Sequence, residues 1–152
     1  MIRWACLYFN ELSLEQLYAM GRLRQEVFVV EQDCPYIDFD NKDQECWHVM
    51  CWKDDKMVGY TRIVPVGVSY PNDISIGRVI TSQLVRRSGL GKELMQRSID
   101  YCYALFDKPD IRISAQDYLL HFYASFGFED TGKKYLEDGI PHSEMFMLYK
   151  DR

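Results

Sequence analysis

The sequence predicts an α/β domain, layered α+β in plan and built on a mixed sheet, on three observations. Two β-rich runs, 46–53 and 56–64, are separated only by Asp54-Asp55, the length of a hairpin turn. Two stretches of helical periodicity, one starting near Ser13 and one near Gly89, alternate with strand-like runs. The resulting order, β-α-β-β-β-α-β-α-β, mixes a hairpin with strand-helix-strand crossovers, which implies a mixed sheet covered by helices.

Each element has its local reason. Residues 1–9 are apolar but lack a charged leader region and a small-residue cleavage site, and Asn10-Glu11 follows at once, so they read as a first strand. Ser13-x-x-Gln16 is a capping box, with Leu12 and Leu17 placed as a hydrophobic staple. The helix it opens runs toward Glu31 with Leu17, Met20, Leu23, Val27 and Val30 along one side. Gly21 weakens that helix by about 1 kcal/mol relative to Ala and is the expected place of any break into two helices. A polar loop, 32–44, surrounds Cys34-Pro35-Tyr36. The hairpin follows, then a loop over 65–73 and a strand over 74–81. A second helix, 89–106, turns Leu90, Leu94, Met95, Ile99, Cys102 and Phe106 inward and Lys92, Glu93, Gln96, Arg97 and Asp100 outward, and Pro109 closes the element. A short strand at 111–115, a short helix at 118–125 and a last strand at 143–149 complete the reading.

With 152 residues, 47% of them apolar, and no repeat or Gly/Ser linker, the chain is expected to form one domain over 1–152. A domain of this size buries about 68–70% of its unfolded surface. The net charge of -5 argues against a nucleic-acid partner, which needs a basic field to displace phosphate counterions. No run is long and uncharged enough to cross a membrane, and a cytoplasmic location is expected. The five cysteines are an odd count with no C-x-x-C pair, and His48, His121 and His142 are scattered relative to them. Reduced thiols and no metal are expected. Asp38-x-Asp40 followed by Asp43 is not a calcium loop, since Lys42 holds position five and no glycine follows.

The most informative stretch is Arg86-Arg87-Ser88-Gly89-Leu90-Gly91-Lys92, between a strand and a helix. A helix start offers unpaired N–H groups and partial positive charge, and glycines let a diphosphate lie directly on the backbone. It is not a Walker A loop, because no glycine stands five residues before Gly91 and Glu93 occupies the magnesium-binding Ser/Thr position. A dinucleotide fingerprint fails at Leu94. Alone, the stretch is equally well a glycine-rich helix start with exposed arginines. A second stretch, Phe122-Tyr123-Ala124-Ser125-Phe126-Gly127-Phe128, follows the strand at 111–115 and its short helix.

Together the two stretches resemble GNAT acetyltransferases. The family's Q/R-x-x-G-x-G/A loop is matched by Arg86-x-x-Gly89-x-Gly91, and its tyrosine ahead of a Gly-Phe by Tyr123 with Gly127-Phe128. The ElaA-like branch is resembled more closely, through Leu23-Arg24-x-x-Val27-Phe28-Val29-Val30-Glu31-Gln32, Cys34-Pro35-Tyr36-x-Asp38, Ile76-Gly77-Arg78-Val79-Ile80 and Asp138-Gly139-Ile140-Pro141-His142. The resemblance implies a largely antiparallel sheet and acetyl-CoA as co-substrate. It implies that backbone groups of Val79, Ile80 and Thr81 meet the pantetheine arm and acetyl carbonyl, and that Arg86 to Lys92 holds the pyrophosphate. Gln116 stands near where many relatives use Asn, and Tyr123 is the acid for the departing thiolate. The acceptor is an amine on a small molecule or peptide, and the reading leaves room for a homodimer.

Some relatives carry a catalytic glutamate on the central strand, but 74–81 holds no carboxylate. Glu31, Asp38, Asp40 and His142 are the candidates for acceptor contact or proton removal. The acidic loop of Asp38, Asp40, Asp43 and Glu45 either attracts a cationic amine or is simply a solvated loop. His48 alternates with Cys46 and Met50 as a packed strand residue, and His121 reads as a helix-surface residue. Two other activities share parts of this pattern: acyl-homoserine-lactone synthesis, suggested by the 23–32 segment, and a regulatory acetyl-CoA-binding module without catalysis.

Overall fold

The computed structural model describes residues 1–151; Arg152, the last residue of the expected domain, lies outside them. Strands β1 (Ile2–Tyr8), β2 (Trp47–Lys53), β3 (Lys56–Val64) and β4 (Ser75–Thr81) form one antiparallel sheet in that spatial order. Strands β5 (Ile111–Gln116), β6 (Glu129–Glu137) and β7 (Ile140–Met147) form a second, in the order β5-β7-β6. The helices are α1 (Leu14–Arg24), α2 (Leu90–Leu105) and α3 (Leu120–Ala124). Among the described residues the two sheets join at one bridge, where Ile74 pairs with Ile111 in parallel and the Arg112 N–H donates to the Ile74 carbonyl at 3.0 Å.

Alternation along the strands decides the layers. Val49 and Ile63 face one side and pack with Leu94, Met95 and Ile99 of α2. Met50 and Tyr60 face the other and pack with Met20 and Leu23 of α1. The four-stranded sheet is therefore sandwiched between α1 and α2, each covering the apolar residues of one face. A buried hydroxyl pair, Thr61 to Ser98 at 2.7 Å, ties β3 to α2, and the Ser98 hydroxyl also reaches the Leu94 carbonyl at 2.8 Å.

The capping box at Ser13 forms as its spacing predicts: the Gln16 N–H donates to the Ser13 hydroxyl at 3.1 Å and the Ser13 N–H to the Gln16 side chain at 2.9 Å. Gly21, however, marks no break. The helix runs through it to Arg24, and the ring of Phe39, from the loop that crosses the helix, lies 2.8 Å from where a Cβ would stand. The change comes at Gln25, where the chain widens into a π-helical segment, Gln25–Glu31. The amides of Gln32 and Cys34 then reach back five residues to the carbonyls of Val27 and Val29.

The largest departure from the sequence reading is β6, which the element order omits, and the last strand begins at Ile140 rather than 143. Strand β6 lies at a sheet edge and is mostly exposed, so it lacks an apolar alternation. Its signal is the Asp138-Gly139 dipeptide. Both residues take positive φ, 51° and 78°, the geometry of a tight two-residue hairpin turn.

Candidate active site

Beyond the Ile74–Arg112 bond no backbone hydrogen bond joins β4 to β5 among the described residues, so the two strands part and leave the edge of β4 unpaired. A bulge sharpens the opening. The β3–β4 register jumps from Tyr60↔Ile80 to Arg62↔Gly77, so Thr61 lies opposite two residues, Arg78 and Val79, and Arg78 adopts φ 50° inside the strand. Bulges of this kind re-aim backbone groups next to sites. The gap opens into a cavity of about 580 Å³ between β4, β5, the β6–β7 hairpin and the π-helical segment. Val79 lines it. Ile80 is buried toward α1, leaving only its backbone for a ligand, and the Thr81 carbonyl accepts from Arg86 at 3.0 Å.

The 86–92 loop lies at the start of α2 and outside this cavity. Gly89 is the N-cap at φ 85°, a left-handed conformation that favours glycine. The first backbone bond of the helix runs from the Glu93 N–H to the Gly89 carbonyl at 3.2 Å, so the Gly91 and Lys92 amides are without an intrahelical partner. Ser88 turns its hydroxyl back on the Val85 carbonyl, and the Leu90 N–H points to that hydroxyl at 3.4 Å. Arg87 and Lys92 are exposed. Arg86 is held by Glu31 through both guanidinium nitrogens, at 2.6 and 2.9 Å. A diphosphate fits these groups: free amides, a bare glycine turn and flanking cations.

Tyr123, in α3, is only 7% exposed and reaches the same cavity. Its ring packs edge-on against Phe122 and Phe128. Among the described residues its hydroxyl has no hydrogen-bond partner. Burial, reinforced by neighbouring Tyr118, pushes the phenol well above its ordinary value of about 10. It is a protonated donor at neutral pH. Gln116 ends β5 opposite His142 and also lines the cavity.

The acidic loop divides: Glu45 is exposed, as in a solvated loop, whereas Asp38, Asp40 and Asp43 turn inward. Asp38 and Asp43 are buried rather than solvated, and three arginines meet them. Arg24, fully buried, donates to Asp38 at 2.6 Å and to Asp43 at 2.8 Å. Arg62 grips Asp40 with two bonds, 2.8 and 2.9 Å, and Asp43 with a third at 2.9 Å. Arg78 reaches Asp38 at 2.8 Å and Asp40 at 3.3 Å. Burial alone would raise the Asp40 carboxyl, but Arg62 and Arg78 outweigh it and hold the group down to about 2. Asp40 still lines the cavity; Asp38 and Glu31 do not. His48 is packed as its alternation predicts, its ring nitrogens on the Tyr60 hydroxyl at 2.5 Å and the Asp43 carbonyl at 2.9 Å. The three arginines were invisible as a group in the sequence, being spread over 24, 62 and 78.

His142 lies on β7, 7% exposed, stacked on Tyr135 with ring planes 14° apart. Its Nδ1 meets the Ile140 carbonyl at 2.7 Å and its Nε2 lies 3.3 Å from Glu137, a residue the sequence reading did not single out. Cys6, Cys34, Cys46, Cys51 and Cys102 are all unpaired thiols.

A parted pair of central strands, a bulge beside the gap and a bare helix start together define a GNAT-type acyltransferase. The chain matches the acetyltransferase (GNAT) domain over residues 11–149 and belongs to that family. It is 42% identical over 147 residues to the protein ElaA of Escherichia coli K12, with 95% of each chain covered. The crystal structure of E. coli ElaA superposes with a TM-score of 0.90 at 40% identity, over 97% of this chain and 99% of that one. An acyl-CoA N-acyltransferase from Pseudomonas aeruginosa gives the same TM-score, 0.90, at 38% identity with coverage of 97% and 99%. The acyl-homoserine-lactone synthase LasI aligns with a TM-score of 0.79 over 97% of this chain and 90% of its own, but at 14% identity the likeness is of fold alone.

Proposed function

We propose that this protein transfers an acetyl group directly from acetyl-CoA to a primary amine on a small molecule, peptide or protein lysine, as a single cytoplasmic domain, with Tyr123 as general acid. The observation that carries the reading is the buried, neutral and unpartnered phenol of Tyr123 on the wall of the cavity where β4 and β5 part. Acetyl-CoA supplies an activated thioester carbonyl and a thiolate leaving group. The Gly91 and Lys92 amides, with Arg87, suit its diphosphate, and the unpaired edge of β4 at Val79 to Thr81 offers backbone donors to the pantetheine arm and the developing oxyanion. Tyr123 holds the proton for sulfur. The acceptor enters from the opposite end of the cavity, between the β6–β7 hairpin and the π-helical segment.

Tyr123→Phe keeps the ring packing and removes the acid. With acetyl-CoA and a productive amine found by a CoA-release screen, kcat should fall by about 10² to 10⁴ while calorimetric affinity for acetyl-CoA holds. Full activity with unchanged melting temperature would overturn the assignment. Running the same screen with longer acyl-CoAs tests the preference for acetyl.

A further inference from the structure

The proton that leaves the amine needs an acceptor, and most basic groups of the cavity are already committed. Asp40 is gripped by two arginines and is too weak a base to take a proton from an amine. Glu144 is bound by Arg112 at 3.0 Å and by the Thr131 hydroxyl at 3.0 Å. Glu31 is engaged by Arg86, outside the cavity. The hairpin between β6 and β7 holds the exception.

Resting on the acetyl-transfer reading above, we infer that His142, positioned by Glu137, is the catalytic proton acceptor for the incoming amine. A carbonyl only accepts, so the 2.7 Å contact between Nδ1 and the Ile140 carbonyl requires that Nδ1 carry the hydrogen. In the neutral ring Nε2 is then a bare lone pair. It faces the Glu137 carboxylate at 3.3 Å, and two acceptors stand together with no hydrogen between them. Such a pair calls for a donor, and both residues line the cavity. An incoming amine N–H meets the Nε2 lone pair, with Glu137 beside the ring to hold the charge that develops there. Tyr135 fixes the ring plane by stacking, and the tight Asp138-Gly139 turn fixes the spacing of Glu137 and His142.

The step balances. The amine nitrogen bonds to the thioester carbon and its proton passes to Nε2 of His142. The C–S bond then breaks and sulfur takes the Tyr123 proton. The imidazolium and phenolate left behind return to neutral by proton exchange with solvent. Glu137 stabilises the imidazolium but touches no reacting atom, so it is a positioning residue.

Two measurements test this. In long-range ¹H–¹⁵N spectra of imidazole-labelled protein, with the His142 signal identified by its loss in His142→Gln, neutral His142 should be the Nδ1–H tautomer; an Nε2–H tautomer overturns the inference whatever the activity. In kinetics with acetyl-CoA and benzylamine, spermidine or a lysine peptide, His142→Gln should lower kcat by about 10² to 10⁴ with calorimetric acetyl-CoA affinity unchanged. Added imidazole should restore activity to His142→Ala. Glu137→Gln should lower kcat by about tenfold at constant amine KM, and Glu137→Asp should recover part of it. Wild-type kcat in a folded, acetyl-CoA-binding His142→Gln protein overturns the base and leaves the transfer reading intact. A wild-type protein that binds acetyl-CoA and turns over no amine overturns both.

Discussion

On the β4 side of the cleft Arg62 and Arg78 each hold two aspartates, Arg24 behind them holds two more contacts, and every carboxylate of the cluster is shared. On the α3 and β7 side Tyr123 has no hydrogen-bond partner among the described residues, and His142 keeps one nitrogen for a single half-exposed glutamate. Both sides are rich in ionisable groups and both are largely buried. What separates them is how many partners each group already has. Saturated charges shape the wall, whereas undersaturated ones are left able to exchange protons.

The sharpest way to break the comparison is Arg24→Leu. The substitution leaves an apolar side chain at a fully buried position but strands Asp38 and Asp43 without one of their cations. Removing one partner of a buried ion pair costs about 3 to 5 kcal/mol, more than replacing the whole cluster by apolar groups would. Urea unfolding should show that loss. A midpoint within experimental error of wild type would mean the cluster is not a structural unit.

A smaller effect follows from pH. Asp40 has a folded value near 2 against about 3.9 unfolded, so its stabilisation is fully present above about pH 4 and is lost as pH falls through 2. That difference is worth at most about 2.6 kcal/mol, and less where solvent screens the partly exposed carboxylate. Asp43 is depressed too: burial would raise it, but the bonds and charges of Arg24 and Arg62 prevail. His48 adds an earlier leg. Burial lowers it, so its contribution is present above the unfolded value of about 6.5 and declines as pH falls below that. Melting temperature should fall in two stages on acidification, and Asp40→Asn should flatten only the lower one. A flat profile between pH 4 and 2 would contradict the sign.

The same contrast governs what could be read from the chain. The helix start at Gly89 and the capping box at Ser13 were legible because each is a local device whose partners lie within a few residues. The Asp38–Asp40–Asp43 loop was legible as acidic but not as buried, since its arginines come from α1, β3 and β4 and only the fold brings them together. The π-helical widening after Arg24 keeps the apolar spacing of an ordinary helix and leaves no separate trace. Strand β6 was hidden because an exposed edge strand has no buried face to pattern its sequence, although Asp138-Gly139 announces the turn. Glu137 was missed for the same reason: its role depends on a pairing that only that turn creates.

Glu31 gives the smallest expected effect and sharpens the boundary between the two kinds of site. Read from the sequence, it is a candidate for the acceptor. In the fold it lies outside the cavity, at the end of the π-helical segment, and binds Arg86 through both oxygens while Gln83 donates to it at 3.2 Å. The pair is partly exposed, with side chains 35% and 29% accessible, so it contributes about 1 kcal/mol or less to stability. Its consequence should appear instead in cofactor affinity, since Glu31 holds the first cation of the 86–92 loop and shares its charge. Glu31→Gln releases that cation, so acetyl-CoA binding should change by less than about tenfold, with a steeper salt dependence as Arg86 becomes available to phosphate. Amine KM should stay where it is. Calorimetry at two ionic strengths beside steady-state kinetics checks both parts. A raised amine KM with unchanged acetyl-CoA affinity would return Glu31 to the acceptor side of the cleft and remove the distinction drawn between it and His142.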